Sequence, residues 1–322
     1  QVVGCVGGLG EDSPTYGTNR AIDALRQPGS SIKPLSAVGA GLENNVITAS
    51  TVYDDSPTKF GGDSFNNSTG YGGLITVRKA IEKSSNIVNM KIVSNVGAED
   101  SMNFLHEAGL TDLTEDEDSG LASLALGGTY NGVSPLQMAA AYSMIARGGE
   151  YIEPTFYTKV EDADGTLILE PNQETRRVMS EGNAYILTSI LTAPVTGSQG
   201  TARPCAISGM DVAAKTGTTT AYCDYWLCGF TPYYAAATWF GYDHKEEIPG
   251  SGNWARTIWA AVMTDIHEDL ESASFKKPNN IVKAKICMDS GRAATDECTR
   301  TYTEEFVSGT VPGKCDGHKV VE

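Results

Sequence analysis

Residues 26–35 read Arg-Gln-Pro-Gly-Ser-Ser-Ile-Lys-Pro-Leu (RQPGSSIKPL), with two serines side by side and a lysine close behind. Pro34 fits only the first turn of a helix, and a serine is a natural N-cap, so a helix is expected to start at Ser30 or Ser31. The residues that follow are small (Ala37, Gly39, Ala40, Gly41), which predicts a central helix packed tightly on all sides. On such a helix Ser30 and Lys33, three residues apart, share one face. Ser31 stands two before the lysine, about 200° around the axis. Ser30 is therefore the serine whose hydroxyl a lysine amine can reach.

Outward from this helix the chain alternates element types. Residues 1–10 (QVVGCVGGLG) read as a strand, and about 54–73 as an aperiodic loop rich in Gly, Asn, Ser and Asp. Apolar spacing then predicts two helices over 77–96, broken at Ser84-Ser85-Asn86, and another near 98–108 that stops at Gly109. Ser134, Pro135 and Gln137 form a capping-box start, with Gly148 at the other end. A hairpin is expected around Asp164-Gly165, then a helix over 180–192. Strand-like runs return near 209–241, and a late helix begins near Trp254. Strands at both ends around a helical middle predict a sheet built from distant segments with an all-α insertion.

Two further short motifs follow the first in order. Ser84-Ser85-Asn86 is S-x-N at an interhelical corner, and Lys215-Thr216-Gly217 is K-T-G on a strand. Each alone has an ordinary reading, as a cap, a corner or a strand end. Together with S-x-x-K they form the signature of serine acyltransferases acting on penicillin-like amides. The chemistry is coherent. A serine hydroxyl needs a base, and lysine, near 10.4 when unperturbed, becomes one when desolvated beside a second cation. Lys215 would be that cation. Ser84 can relay a proton between Lys215 and a departing amine, and Asn86 can hold Lys33 and a substrate amide. Lys215 with Thr216 and Thr218, along the strand through Gly217, offers a seat for a terminal carboxylate. Backbone N–H groups at the helix start and near Thr218 can hold an oxyanion.

Composition narrows the alternatives. The 322 residues carry a net charge of −16 and a pI near 4.7, which argues against nucleic acid as a partner. No apolar run of about 18 residues is present. The chain opens on Gln1 with no targeting segment, and reads as a piece of a longer polypeptide. The histidines (106, 244, 267, 318) belong to no nucleophile elbow and no H-E-x-x-H, so neither a Ser-His-Asp hydrolase nor a zincin is supported. No cofactor is called for. Cys223 and Cys228, with Asp224 and His244, have irregular metal-ligand spacing and read as buried or bridged cysteines, so no metal site is assigned. Cys287, Cys298 and Cys315 fall in a polar tail with little core. There a 287–298 or 298–315 disulfide and free buried thiols stand as open alternatives. Tyr222, Tyr225 and Trp226 read either as a substrate groove or as core.

The residues RQPGSSIKPL, GLITVRKAIEKSSNIVNMKI, VSPLQMAAAYSMIARGG, AAKTGTTTAYCDYWLCGFTP and the cysteine-bearing tail resemble the transpeptidase domain of class A (bifunctional) penicillin-binding proteins of Gram-positive type. The resemblance covers nearly the whole chain. It implies an α/β (α+β) fold of the penicillin-binding and serine β-lactamase type: a central antiparallel sheet flanked by helices, with an all-α lobe over roughly 40–150. It also implies a transpeptidase domain over 1–283, lacking its opening part, and a tail over 284–322. By the same resemblance Ser30 is the acylated nucleophile and Lys33 its base, with Ser84, Asn86, Lys215, Thr216, Gly217 and Thr218 completing the site. The implied substrates are peptidoglycan stem peptides, a D-Ala-D-Ala donor and an amine acceptor, with β-lactams acylating the same serine. The implied location is the extracytoplasmic face of a bacterial membrane, with an anchor and a glycosyltransferase domain upstream. Two alternatives compete. A D,D-carboxypeptidase or β-lactamase would pass the acyl group to water, and the E-x-x-L-N segment that a class A β-lactamase would carry after S-x-N is lacking in the acidic run 113–120; a penicillin sensor would be acylated without cross-linking. Cys223 and Cys228 beside K-T-G depart from the expected pattern.

Overall fold

The computed structural model describes residues 1–8, 17–250 and 252–317. Residues 1–8 form no strand, against the expectation for this stretch; the rest of it, and His318, lie outside the described residues. Its apolar residues find no core, since Val3 and Val6 are 77 % and 76 % exposed; Val2 N–H bonds Thr155 O, and Arg20 N–H bonds Gly7 O.

A short helix α1 (Arg20–Asp23) leads to the central helix, which runs from Gly29 to Glu43 in three windings. Gly29–Ile32 is a 3₁₀ turn, Pro34–Gly39 a π segment, and α2 (Ala40–Glu43) regular. Neither Ser30 nor Ser31 caps it, because the turn is entered from Pro28 in helical conformation, not from extended backbone. Pro34 begins the second winding instead. Residues 31–42 are buried throughout, and Gly39 packs so closely on Phe104 that a Cβ would lie 2.7 Å from its ring. The small residues are what admit this approach.

The stretch read as an aperiodic loop holds strands. β1 (Val52–Asp55) pairs with β4 (Gly73–Thr76), enclosing a small hairpin of β2 (Thr58–Phe60) and β3 (Asp63–Phe65). The lobe expected to be all-α is thus only mainly so. Its helices are α3 (Val77–Lys83), α4 (Asn86–Val96), α5 (Ala98–Glu107), α6 (Glu115–Asp118), α7 (Leu121–Leu126) and α8 (Pro135–Ala146). The capping box on α8 forms as read, Ser134 and Gln137 each bonding the other's backbone N–H.

β5 (Glu150–Ile152) pairs with β8 (Thr175–Arg177), around the hairpin of β6 (Val160–Glu161) and β7 (Leu167–Leu169), with Gly165 at its turn. Then come α9 (Glu181–Thr196) and the central sheet. β9 (Ala213–Thr218), β10 (Asp224–Phe230) and β11 (Ala235–Gly241) form an antiparallel meander with β9 at one edge. Its strands come from one continuous stretch of chain, so the sheet is not assembled from the two ends. α10 (Trp254–Ile266) packs on its β10–β11 side, and the buried side chains of the lobe, α8, α9 and the inner sheet face merge into one core. The hairpin of β12 (Ile281–Cys287) and β13 (Thr301–Val307) closes the chain against α9. Among the described residues no helix is long and apolar enough to cross a membrane.

Candidate active site

The edge strand β9, the 3₁₀ turn and the α3–α4 corner converge on one cleft. The turn and the strand lie in direct contact. A Cβ on Gly29 would fall 2.7 Å from Thr218 O, and one on Gly217 would fall 2.3 Å from Pro28 O. Gly29 also has φ +53°, a conformation open to glycine at little cost. Trp226 on β10, fully buried, donates its indole N–H to Gln27 O at 2.8 Å and pins the approach to Ser30. Trp226 and Tyr225 are therefore core, while Tyr222 is 58 % exposed.

The two serines have different surroundings. Ser31 Oγ is consumed by Pro28 O at 2.7 Å and faces Cys228, and its carbonyl accepts from Tyr142 Oη. Ser30 is half-buried, and its Oγ has no protein partner among the described residues. Gly29 N–H is taken by Gly127 O and Ser31 N–H by Pro28 O, which leaves the Ser30 N–H between them unclaimed among the described residues. On β9 the ladder decides where the second donor points. Thr219 N–H bonds Asp224 O, so its neighbour Thr218 turns its own N–H away from β10, outward from the sheet edge toward the turn.

The α3–α4 corner supplies the rest. Ser84 adopts a left-handed conformation (φ 61°) as the C-cap of α3, and Ser85 caps α4 by accepting from Val88 N–H. Lys33, fully buried, donates from Nζ to Ser84 O at 2.9 Å and Asn86 Oδ1 at 2.7 Å. Lys215, also fully buried, donates to Ser84 Oγ at 2.8 Å and Thr216 O at 3.0 Å. Ser84 thus touches both amines, one through its carbonyl and one through its hydroxyl. Thr216 Oγ1 bonds Thr201 Oγ1 at 2.8 Å, and Thr218 is exposed at the strand end. All eight residues singled out by the three motifs line this one place.

Burial drives Lys33 well below the usual lysine range, helped by the Lys215 charge and opposed by that of Asp55. Burial lowers Lys215 to about 7. The Cys228 thiol beneath the strand is pushed up by burial and stays protonated near neutrality, which explains a cysteine beside K-T-G as core filling. Cys223 is also buried, and its Sγ approaches Ala221 O at 3.6 Å; neither cysteine joins a ligand cluster among the described residues.

Several supporting residues were not foreseen. Asp55, fully buried at the end of β1, accepts from Ser85 Oγ, Asn67 Nδ2 and Gly72 N–H. Asn67 Oδ1 accepts from the N–H of Asn86 and of Ile87, and Asn66 O holds the Asn86 amide. Asn253 Nδ2 bridges Gly217 O and Trp226 O. The only sequence signal for Asn66 and Asn67 was a polar, glycine-rich loop. Of the histidines, His106 and His267 make structural bonds, to Leu113 O and to Thr231 and Met263 O, and His244 is exposed.

Comparison with known proteins identifies the family. Residues 8–267 match the family model for the penicillin binding protein transpeptidase domain, and 277–320 that for the penicillin-binding protein 1A C-terminal domain. The chain is 34 % identical to penicillin-binding protein 1A of Clostridium botulinum (strain Langeland), over 97 % of this chain and 40 % of that protein. It is 33 % identical to penicillin-binding protein 1A/1B of Bacillus subtilis, over 95 % of this chain and 35 % of that one. It thus spans about two fifths of these relatives. Penicillin-binding protein 1A of Haemophilus influenzae superposes with a TM-score of 0.77 at 26 % identity, covering 91 % of this chain and 50 % of that one. PonA1 of Mycobacterium tuberculosis, solved with penicillin V, superposes with a TM-score of 0.68 at 27 % identity, over 82 % and 75 % of the two chains. With S-x-x-K, S-x-N and K-T-G drawn into one cleft and both family models matched in sequence, the chain belongs to the penicillin-binding-protein transpeptidase family, of the class A, 1A type.

Proposed function

We propose that this chain is a peptidoglycan D,D-transpeptidase unit in which Ser30 is the nucleophile and neutral Lys33 its base. The observation that carries the reading is the bond network Lys33–Ser84–Lys215, two buried amines joined through one serine. Ser30 Oγ attacks the carbonyl between the two terminal D-alanines and passes its proton to Lys33 Nζ. The oxyanion is held by the N–H groups of Ser30 and Thr218. Lys215, Thr216 and Thr218 receive the terminal carboxylate, and the backbone of Gly217 keeps strand and turn in contact. The departing D-alanine amine takes a proton by way of Ser84, and Asn86 orients Lys33 and the stem-peptide amide. The acyl-enzyme is then resolved by an amine of a neighbouring stem, and a β-lactam stalls at the acyl stage.

A hydrolase of the class A β-lactamase type needs a carboxylate free to activate water. Asp55, whose charge reaches Lys33, has its oxygens engaged by Ser85, Asn67 and Gly72. The buried member of the acidic run, Asp118, is likewise taken by the N–H groups of Thr114 and Tyr130. In the same reading the chain divides near residue 283, works on the outer face of a bacterial membrane, and sits downstream of an anchor and a glycosyltransferase domain. Intact-mass spectrometry after penicillin gives the test. One penicilloyl adduct is expected, located at Ser30, absent in Ser30→Ala and stable for hours. Turnover within seconds would make the chain a hydrolase, and an adduct without exchange onto any amine acceptor would make it a sensor.

A further inference from the structure

The polar tail after β12 holds a cluster that the transpeptidase chemistry does not use. Cys287 ends β12, Cys298 lies in the β12–β13 connection, and Cys315 follows β13, yet their sulfurs lie within 4.8 Å of one another. Cys298 faces both of the others. Among the described residues this is the one group of three or more His, Cys, Asp or Glu side chains so placed.

We propose that Cys287, Cys298 and Cys315 form a structural zinc site that fastens the C-terminal hairpin. Three sulfurs on a tetrahedral zinc, with Zn–S near 2.3 Å, are separated by about 3.8 Å, so the observed triangle needs little contraction. A disulfide would join two of the sulfurs and leave the third beside a closed bond. The surroundings suit thiolates. Thr295 N–H donates to Cys298 Sγ at 3.4 Å, and Ser290 Oγ donates to Cys315 Sγ at 3.2 Å. Donors on ligand sulfur orient the ligands and stabilise their charge. The backbone converges independently of the sulfurs: Cys287 N–H bonds Arg292 O, Gly291 N–H bonds Cys287 O, and Cys315 N–H bonds Ala293 O. Cys298 N–H in turn bonds Thr295 O, so all three cysteine segments are held by main-chain bonds.

The tail also needs such a staple. From Cys287 onward the fully buried side chains are few, Phe306 and Cys287 itself, so apolar burial alone gives a weak anchor. Three soft thiolate donors select zinc over calcium or magnesium. Binding releases the thiol protons, and the fourth position is left to water or another side chain.

The test uses the full 322-residue chain, with zinc as the probe. The chain is isolated under mild reductant, dialysed against zinc and then against buffer, and its metal content measured by mass spectrometry. About one zinc per chain is expected, falling to background in Cys298→Ser and unchanged in Cys5→Ser. Cobalt in place of zinc should show tetrahedral thiolate absorption that Cys298→Ser abolishes. Penicillin acylation of Cys298→Ser serves as the check that the rest of the chain is folded. Zinc at background in the parent chain overturns the site, as does zinc retained by Cys298→Ser or a disulfide at Cys298 in the chain isolated without reductant.

Discussion

Gly29→Ala tests whether the contact between turn and strand sets the rate. The added Cβ would stand 2.7 Å from Thr218 O and 3.1 Å from Thr218 N. Carbon and oxygen settle near 3.4 Å, so turn and strand must part by about 0.7 Å. Those two elements carry the two oxyanion donors of the proposed mechanism, on Ser30 and Thr218. A 1 Å misplacement costs about 10²-fold in rate, and log-linear scaling to 0.7 Å gives about 25-fold. Holding alanine at φ +53° adds roughly 1–2 kcal/mol of strain, felt as lowered stability. The assay is the second-order rate constant of penicillin acylation, followed by intact mass at a temperature where circular dichroism shows the variant folded. A fall of tenfold or more is expected. A folded Gly29→Ala chain that acylates within about twofold of the parent would refute the idea that this contact positions the oxyanion donors.

The pH profile of acylation should be bell-shaped. In the proposed mechanism Lys33 takes up a proton on the acid side and ceases to be a base; above about 7 Lys215 loses the charge proposed to receive the substrate carboxylate. In Lys215→Arg, where the guanidinium stays charged, the alkaline limb should vanish even though the plateau is lower. The sign for stability is the same as in the usual carboxylate case, displaced to alkaline pH. Unfolded Lys215 titrates near 10.4 and the folded group at about 7, so its contribution to stability rises with pH across that window, and Lys215→Met should remove that rise from urea midpoints. Asn67→Ala strips the acceptor from the Asn86 and Ile87 N–H groups, and should cost about 1 kcal/mol of stability and several-fold in acylation. Arg78→Ala leaves Glu304, 4 % exposed, without its bidentate partner at 2.7 and 2.8 Å. A loss of about 3–5 kcal/mol at that contact should make β13 sensitive to limited proteolysis.

The motifs were legible because each is local: three or four residues whose spacing on a helix, corner or strand decides which side chains share a face. So were the capping box on α8 and the break between α3 and α4. What escaped was set at long range. Asp55 lies 30 residues from Ser85, and Asn67 19 from Asn86, in a stretch whose periodicity is broken by the short strands β1 to β4. The 3₁₀ and π windings of the central helix likewise follow from tertiary contacts. Gly39 against Phe104 and Gly29 against Thr218 dictate the pitch, and no propensity encodes them. The first residues failed as a strand for the converse reason: an apolar run makes a strand only where a sheet edge receives it.

Two serine doublets build this site, and each divides its labour the same way. In both, the second serine is consumed by the main chain or its support: Ser31 by Pro28 O, Ser85 by Val88 N–H and Asp55. In both, the first is left to the cleft, Ser30 with its hydroxyl unclaimed among the described residues and Ser84 with its hydroxyl on Lys215. The second serine secures a turn sharp enough to aim the first. That division also accounts for lysine in the place of histidine. A buried amine is a base only if its charge is costly, and the Lys215 charge adds to that cost at Lys33, whereas burial alone lowers Lys215. The two amines therefore lose their protons in order, Lys33 first while Lys215 is still charged. The intermediate protonation state, one neutral amine and one ammonium bridged by Ser84, is the one that the proposed mechanism requires.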